Sequence, residues 1–241
     1  MDPASGAVAE QLPGVLNIIA AVGALGTAAV GLVDTTKVFN GGVSNAGFKF
    51  IRRAVVRLLT ASASLADAPA AFGTADVVAT LRANWMNGVP KAEQKSAAKG
   101  LIRLNLNTAN AASIAAAVGV SAPVLQAVVA KIYAGTALGP DDLNVLGRFD
   151  AVVSAMLDEA YERADQAYRN VAKFTAALIA VALALIGGGM LHGGDPVVYF
   201  GTRDALMAFF VGVIATPLAP AAKDLATALS AATKAVASVR R

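Results

Sequence analysis

The stretch FTAALIAVALALIGGGMLHGG, Phe174–Gly194, contains no charged residue and lies between Lys173 and Asp195. Two others share this character: QLPGVLNIIAAVGALGTAAVGLV, Gln11–Val33, between Glu10 and Asp34, and ALMAFFVGVIATPLAPAA, Ala205–Ala222, between Asp204 and Lys223. At about 1.5 Å per helical residue against a hydrocarbon core of roughly 30 Å, each is long enough to span, the last by a narrow margin. The reading is an all-α integral membrane protein with three transmembrane helices and a helical cytoplasmic domain between the first and second. Pro217 and Pro220 make the third span the weakest, with a re-entrant or interfacial segment as its alternative. For the whole chain the alternative is a soluble protein with three buried core helices.

Composition supports helix throughout. The chain has 241 residues, 56% hydrophobic but 6% aromatic, with mean hydropathy +0.60. Charged residues make up 15%, against roughly 25% in soluble domains. Alanine loses no side-chain entropy in a helix, so an alanine-rich chain favours that state. There is no cysteine, which excludes disulfides, thiolate chemistry, iron–sulfur ligation and palmitoylation. The net charge of +4 fits basic residues beside lipid headgroups better than nucleic-acid binding. No basic residue precedes the first apolar run, which argues for a retained anchor rather than a cleaved signal peptide.

Lysine and arginine assign the sides. None precedes the first span, and only Arg203 lies between the second and third. The other 19 of 20 lie in residues 34–173 or after residue 222. By the positive-inside rule the N-terminus is outside and the C-terminus cytoplasmic. Four segments follow: residues 1–33, the N-terminal segment and first span; 34–148, a cytoplasmic helical domain; 149–222, a long helix entering the second span, a short outer loop and the third span; and 223–241, a cytoplasmic C-terminal helix.

Within the middle segment, residues 34–45 read as a turn, with Gly41–Gly42 as breaker and Ser44 or Asn45 as cap. Residues 46–64 place Phe48, Ile51, Val55 and Leu58 on one face, and Lys49, Arg52, Arg53 and Arg57 around the other. That pattern fits a basic helix on an anionic membrane surface, with the four cations contacting headgroups. It equally fits a core helix with a solvated charged face. Residues 65–105 read as one or two short helices around Trp85, broken at Gly88–Pro90, with KAEQKSAAK as a polar exposed stretch. Thr108 or Asn110 caps a helix ending at Gly119. Ser121–Pro123 opens another to Tyr133, and Asp141 caps the next. No proline or glycine interrupts residues 148–186. The pattern therefore predicts one continuous helix from Phe149 to Ile186, about 60 Å long, with Glu159–Arg163 and Asp165–Arg169 as i,i+4 pairs. Residues Leu225, Leu229, Ala232, Val236 and Val239 continue the third span inward as a narrow seam.

Small residues recur every fourth position inside the spans. Span two has Ala172, Ala176, Ala180, Ala184 and Gly188; span three has Ala208, Gly212 and Thr216; span one has Ala20, Ala24 and Ala28, with Gly23, Thr27 and Gly31 beside them. Residues four apart share a helix face, and small ones let backbones approach closely in lipid. Helix packing is therefore expected through Ala176, Ala180, Ala184, Gly188, Ala208, Gly212 and Thr216. Asn17, Thr27, Thr175 and Thr216 would add hydrogen bonds between helices.

Chemistry-bearing patterns are sparse. His192 is the only histidine, and no metal-ligand spacing surrounds it. No serine has a histidine partner on its own side, and neither a P-loop nor a dinucleotide fingerprint occurs. Apart from His192 at the outer end of span two, no ionisable residue falls inside a span, which argues against a proton-coupled pump. The expectation is no catalytic residue, no metal and no cofactor.

Two resemblances remain. RLNLNTANAASIAAAVGVSAPVLQAVV, Arg103–Val129, resembles helix-hairpin-helix modules, with Val118–Ser121 as hairpin; these modules bind nucleic acid, and Ser121 stands where they carry a second glycine. Arg103 and Lys131 are the nearby cations, too few to favour nucleic acid as a partner. FDAVVSAMLDEAYERADQAYRNVAKFTAALIAVALALIGG, together with the late span ending ATPLAPAAKDLATAL, resembles a loose group of uncharacterised bacterial inner-membrane proteins. That likeness implies architecture and location in a bacterial inner membrane. The expected role is a non-enzymatic scaffold, anchor or accessory subunit, partnered by the bilayer, anionic headgroups and other subunits or copies of itself. A homo-oligomeric channel is the first alternative and a membrane-tethered nucleic-acid binder the second.

Overall fold

A computed structural model describes residues 3–60 and 73–239. It is all-helical, with 85% of residues in helix and no strand among the described residues. The helices are α1 (Pro3–Thr35), α2 (Asn45–Thr60), α3 (Thr74–Met86), α4 (Lys91–Leu104), α5 (Ala111–Val118), α6 (Ala122–Tyr133), α7 (Pro140–His192), α8 (Pro196–Tyr199) and α9 (Arg203–Val239). Contacts divide the chain into two compact units. One is Met1–Asn40 with Asn170–Arg241; the other is Gly41–Arg169.

Several boundaries differ from the sequence reading. Helix α7 begins at Pro140 rather than Phe149, because proline suits the first helical position, where its missing N–H has no partner to lose. The acid serving this start is Asp142, not Asp141: its Oδ2 accepts the Gly139 N–H at 2.9 Å. From there α7 runs unbroken through Lys173 to His192, and α9 passes through Pro217 and Pro220 without a break. KAEQKSAAK is not an exposed stretch. It opens α4 and buries Gln94 and Ala98. Asn110 stands at the head of α5 without capping it; its Oδ1 turns back to accept the Asn107 N–H at 2.8 Å. Asn107 Oδ1 instead accepts the N–H groups of Ala109 and Asn110. The end of the 46–64 segment beyond Thr60, the expected helix over residues 65–72, and the seam side chains Leu225, Leu229, Ala232, Val236 and Val239 lie outside what is described.

In the unit Gly41–Arg169, one core joins α2 to α7. Phe48, Ile51, Val55 and Leu58 of α2 meet Leu81 of α3, Ile102 of α4, Ile114 of α5 and Leu125 of α6, with Phe149, Val153, Leu157 and Tyr161 of α7. Each full burial of such a side chain contributes roughly 1.5–3 kcal/mol. Gly47 lets α2 approach α7: a Cβ there would crowd Trp85 Cζ2 and the Ala164 carbonyl. Trp85 is fixed in turn by its Nε1–H, which donates to the Ser44 carbonyl at 3.0 Å. Gly119 ends α5 with φ +69°, a conformation that costs glycine nothing.

In the other unit, α1 packs along α9 through small residues. A Cβ on Gly26 would overlap the Ala215 carbonyl, and one on Gly23 would overlap Ala222 Cβ. Gly212 of α9 lies against the backbone of Ala180 and Val181 in α7. The packed face of α1 is Val22, Gly23, Gly26, Ala29 and Val33, whereas Ala20, Ala24 and Ala28 are exposed. Of the small residues expected on span one, Gly23 packs, whereas the alanine row, Thr27 and Gly31 lie on the outer face, since small residues occur on every face of this helix and spacing alone does not choose among them.

Candidate functional site

Two features of the fold bear on function. The first is the apolar surface of the unit containing α1, α8, α9 and the end of α7. Among the described residues three helices are long and apolar enough to cross a membrane, over Asn17–Val38, within Pro140–His192 and over Arg203–Ala222. Their most apolar windows are only 28%, 11% and 28% buried within the structure. Phe174, Leu178, Ile186, Leu206, Met207 and Phe210 are all more than half exposed. An apolar surface of this extent points to membrane association.

Between these helices the expected packing residues are distributed as follows. Ala176, Ala180 and Gly212 are buried; Ala184, Gly188, Ala208 and Thr216 are half-buried. A Cβ on Gly188 would stand 3.2 Å from Ala208 Cβ and would overlap the Tyr199 hydroxyl. The expected hydrogen-bonded bridges do not form at two of the threonines. Thr27 Oγ1 donates to Gly23 O of its own helix at 2.9 Å, and the buried Thr216 hydroxyl has no partner. His192 sits at the end of α7 with Nδ1 3.4 Å from Asp204 Oδ2 and its ring against Tyr199.

The second feature is the charge arrangement of the unit Gly41–Arg169. Helix α4 presents Lys91, Lys95, Lys99 and Arg103 at four-residue spacing. Helix α7 runs antiparallel to them with Glu162, Asp158, Ser154 and Asp150, also four apart. Lys91 Nζ lies 3.0 Å from Glu162 and 3.6 Å from Asp165, Lys95 pairs with Asp158, Lys99 donates to Ser154 Oγ at 3.3 Å, and Arg103 Nε donates to Asp150 at 2.7 Å. The pairs Glu159–Arg163 and Asp165–Arg169 form within α7 as the sequence predicts. Arg169, and then Lys91, hold the Asp165 carboxyl below the ordinary range. Lys131 pairs with Asp142, and with the Gly139 N–H it lowers that carboxyl too. Each four-residue repeat is legible in the sequence alone, but their pairing depends on helix register.

Helix α2 is the exception. Its apolar face, Phe48, Ile51, Val55 and Leu58, is buried in the core, so that face does not dip into a bilayer. Lys49, Arg52, Arg53 and Arg57 are exposed, and α2 contains no acid. Lys49 lies over the Phe50 ring at 5.3 Å. Arg52, Arg53 and Arg57 make no ion pair with a described residue. Arg53 and Arg57 line a groove of about 300 Å³, shared with Phe50, Met156, Glu159 and Arg163.

The hairpin region folds as two helices joined at Gly119, with a second groove of about 360 Å³ lined by Gly119, Ser121, Asn144 and Arg148. Arg103 and Lys131, the cations noted in the sequence, are both engaged in ion pairs. Arg148, four residues beyond Asn144 on α7, is the basic residue that helical spacing had available and sequence proximity overlooked. Among the described residues no group of three or more His, Cys, Asp or Glu is placed to hold a metal.

Fold and surfaces together define an all-helical protein with three helices suited to crossing a membrane. No protein-family model, no curated protein and no solved structure matches the chain.

Proposed function

We propose that this chain is a non-enzymatic scaffold, anchor or accessory subunit of a membrane assembly in a bacterial inner membrane. It has its N-terminus outside, its C-terminus in the cytoplasm, and residues 34–148 as a cytoplasmic helical domain. The observation that carries the reading is the exposed apolar surface of α1, α9 and the end of α7, combined with the near absence of lysine and arginine from one set of connections. Anionic headgroups are the partners of Lys49, Arg52, Arg53 and Arg57; other subunits or further copies of the chain are the partners of its spans. The exposed alanines of α1 favour a protein neighbour there, because small side chains bring backbones close in lipid. A homo-oligomeric pore is the second reading, favoured by the same exposed alanines. Nucleic-acid binding has less support, since Arg103 and Lys131 already pair with acids.

Cysteine labelling tests the topology. Single cysteines at Ser5 and Gly201 react with an impermeant reagent in intact cells; one at Ser96, exposed on α4, reacts only after permeabilisation. Labelling of the Ser96 variant in intact cells overturns the orientation. Conductance in liposomes at defined copy number would replace the scaffold by the pore.

A further inference from the structure

We propose that Arg53 and Arg57 of α2, together with Arg163 of α7, form a discrete binding site for the phosphate of an anionic phospholipid headgroup. The inference rests on the membrane reading above and narrows it from a general cationic face to one groove.

Three observations converge. Arg53 and Arg57 are four residues apart, so both guanidinium groups leave α2 on one side, and both border the same groove of about 300 Å³. Among the described residues the only acid lining that groove is Glu159, whose Oε1 is held by Arg163 Nη2 at 3.2 Å. Three arginines against one carboxylate leave a formal excess of two positive charges, with no described acid on Arg53 or Arg57. Elsewhere in this unit the cations of α4 at the same spacing all meet a partner on α7. Arg53 and Arg57, which make no ion pair with a described residue, contrast with that ladder.

The lining selects among anions. Phe50 and Met156 give the groove an apolar wall beside its arginines. A fully hydrated anion gains nothing from that wall. A phospholipid headgroup offers both halves: phosphate oxygens that accept paired guanidinium N–H bonds, and a glycerol–acyl region that covers apolar surface. Helix α2 also follows the candidate span Asn17–Val38 after only Phe39–Ser44, at most about 22 Å of chain.

The test uses the full chain in a neutral detergent, titrated separately with dioctanoyl phosphatidylglycerol, dioctanoyl phosphatidylcholine and inorganic phosphate, with bound ligand counted by native mass spectrometry. The phosphatidylglycerol is expected to saturate one tight site per chain. Replacing both groove residues, Arg53→Gln with Arg57→Gln, weakens it about tenfold or more, the loss of one or more charge-assisted contacts. Arg148→Gln, an exposed arginine of α7 outside this groove, changes it by less than about twofold. Equal losses from Arg148→Gln and the double variant overturn the proposal in favour of diffuse attraction. So does phosphatidylcholine binding as tightly, or inorganic phosphate saturating the same site with equal affinity. Extraction of the chain from membranes by alkaline carbonate sinks the membrane reading instead, and leaves the titration to decide the site independently.

Discussion

Gly26 of α1 lies directly against the carbonyl oxygen of Ala215 in α9, with no room for a Cβ between them. The contact ties a residue near the start of the chain to one near its end. It rests on backbone meeting backbone rather than on interdigitated side chains, as expected where apolar burial alone does not favour one helix neighbour over lipid.

Gly26→Leu is therefore expected to cost on the order of 1–3 kcal/mol by overpacking. Gly31→Leu, at an exposed position where an added Cβ meets nothing within 4 Å, is near neutral. Thermal unfolding of the two variants in one detergent separates them. Equal melting temperatures would show that α1 and α9 do not pack this way.

Ala180 is fully buried, beside Gly212, whereas Ala182, two residues on, is exposed. Ala180→Leu should disrupt packing by roughly 1–3 kcal/mol, and Ala182→Leu should be tolerated. Size-exclusion chromatography and melting of both proteins make the comparison. Identical profiles mean the four-residue ridge is only composition.

The α4–α7 ladder predicts charge complementarity across helices. Lys95→Glu places an acid opposite Asp158 and lowers stability; adding Asp158→Lys restores most of the loss. The pair is partly solvated, so the coupling is expected at a few tenths to about 1 kcal/mol, shrinking with salt. A double variant no more stable than the single one would contradict the pairing.

Tyr161 is buried with its hydroxyl unpaired, and burial pushes the phenol up to about 12. An unsatisfied buried hydroxyl costs free energy, so Tyr161→Phe should raise stability by about 1 kcal/mol. Trp85, the single tryptophan, has its ring 6.4 Å from Tyr161 and reports unfolding of this unit by fluorescence. A clear destabilisation would mean the hydroxyl has a partner.

Folding lowers the Asp142 carboxyl, through Lys131 first and the Gly139 N–H second. The native state thus holds the ionised form more tightly than the unfolded chain does. The resulting stabilisation is fully present above the ordinary carboxylate value of about 3.9 and is lost as pH falls through the lower folded value. Unfolding followed from pH 7 to pH 2 should show a shallower acid loss in Asp142→Asn than in the parent. Parallel curves would remove Asp142 from the acid response.

Read without coordinates, the sequence determines the elements. Charge-free length marks the three apolar helices, and the absence of breakers over residues 148–186 predicts continuous helix, because both depend on local composition and backbone propensity alone. The same holds for the i,i+4 pairs of α7, whose geometry is that of a single helix. Tertiary structure decided everything that depends on a second backbone. It selected Val22, Gly26, Ala29 and Val33 over Ala20, Ala24 and Ala28 as the packed face of α1, a choice that alanine on every face leaves open. It buried the apolar face of α2 in a core rather than leaving it for a bilayer. It matched the repeat of α4 to that of α7, because register between antiparallel helices is fixed by the packing of their apolar sides and not by either sequence repeat.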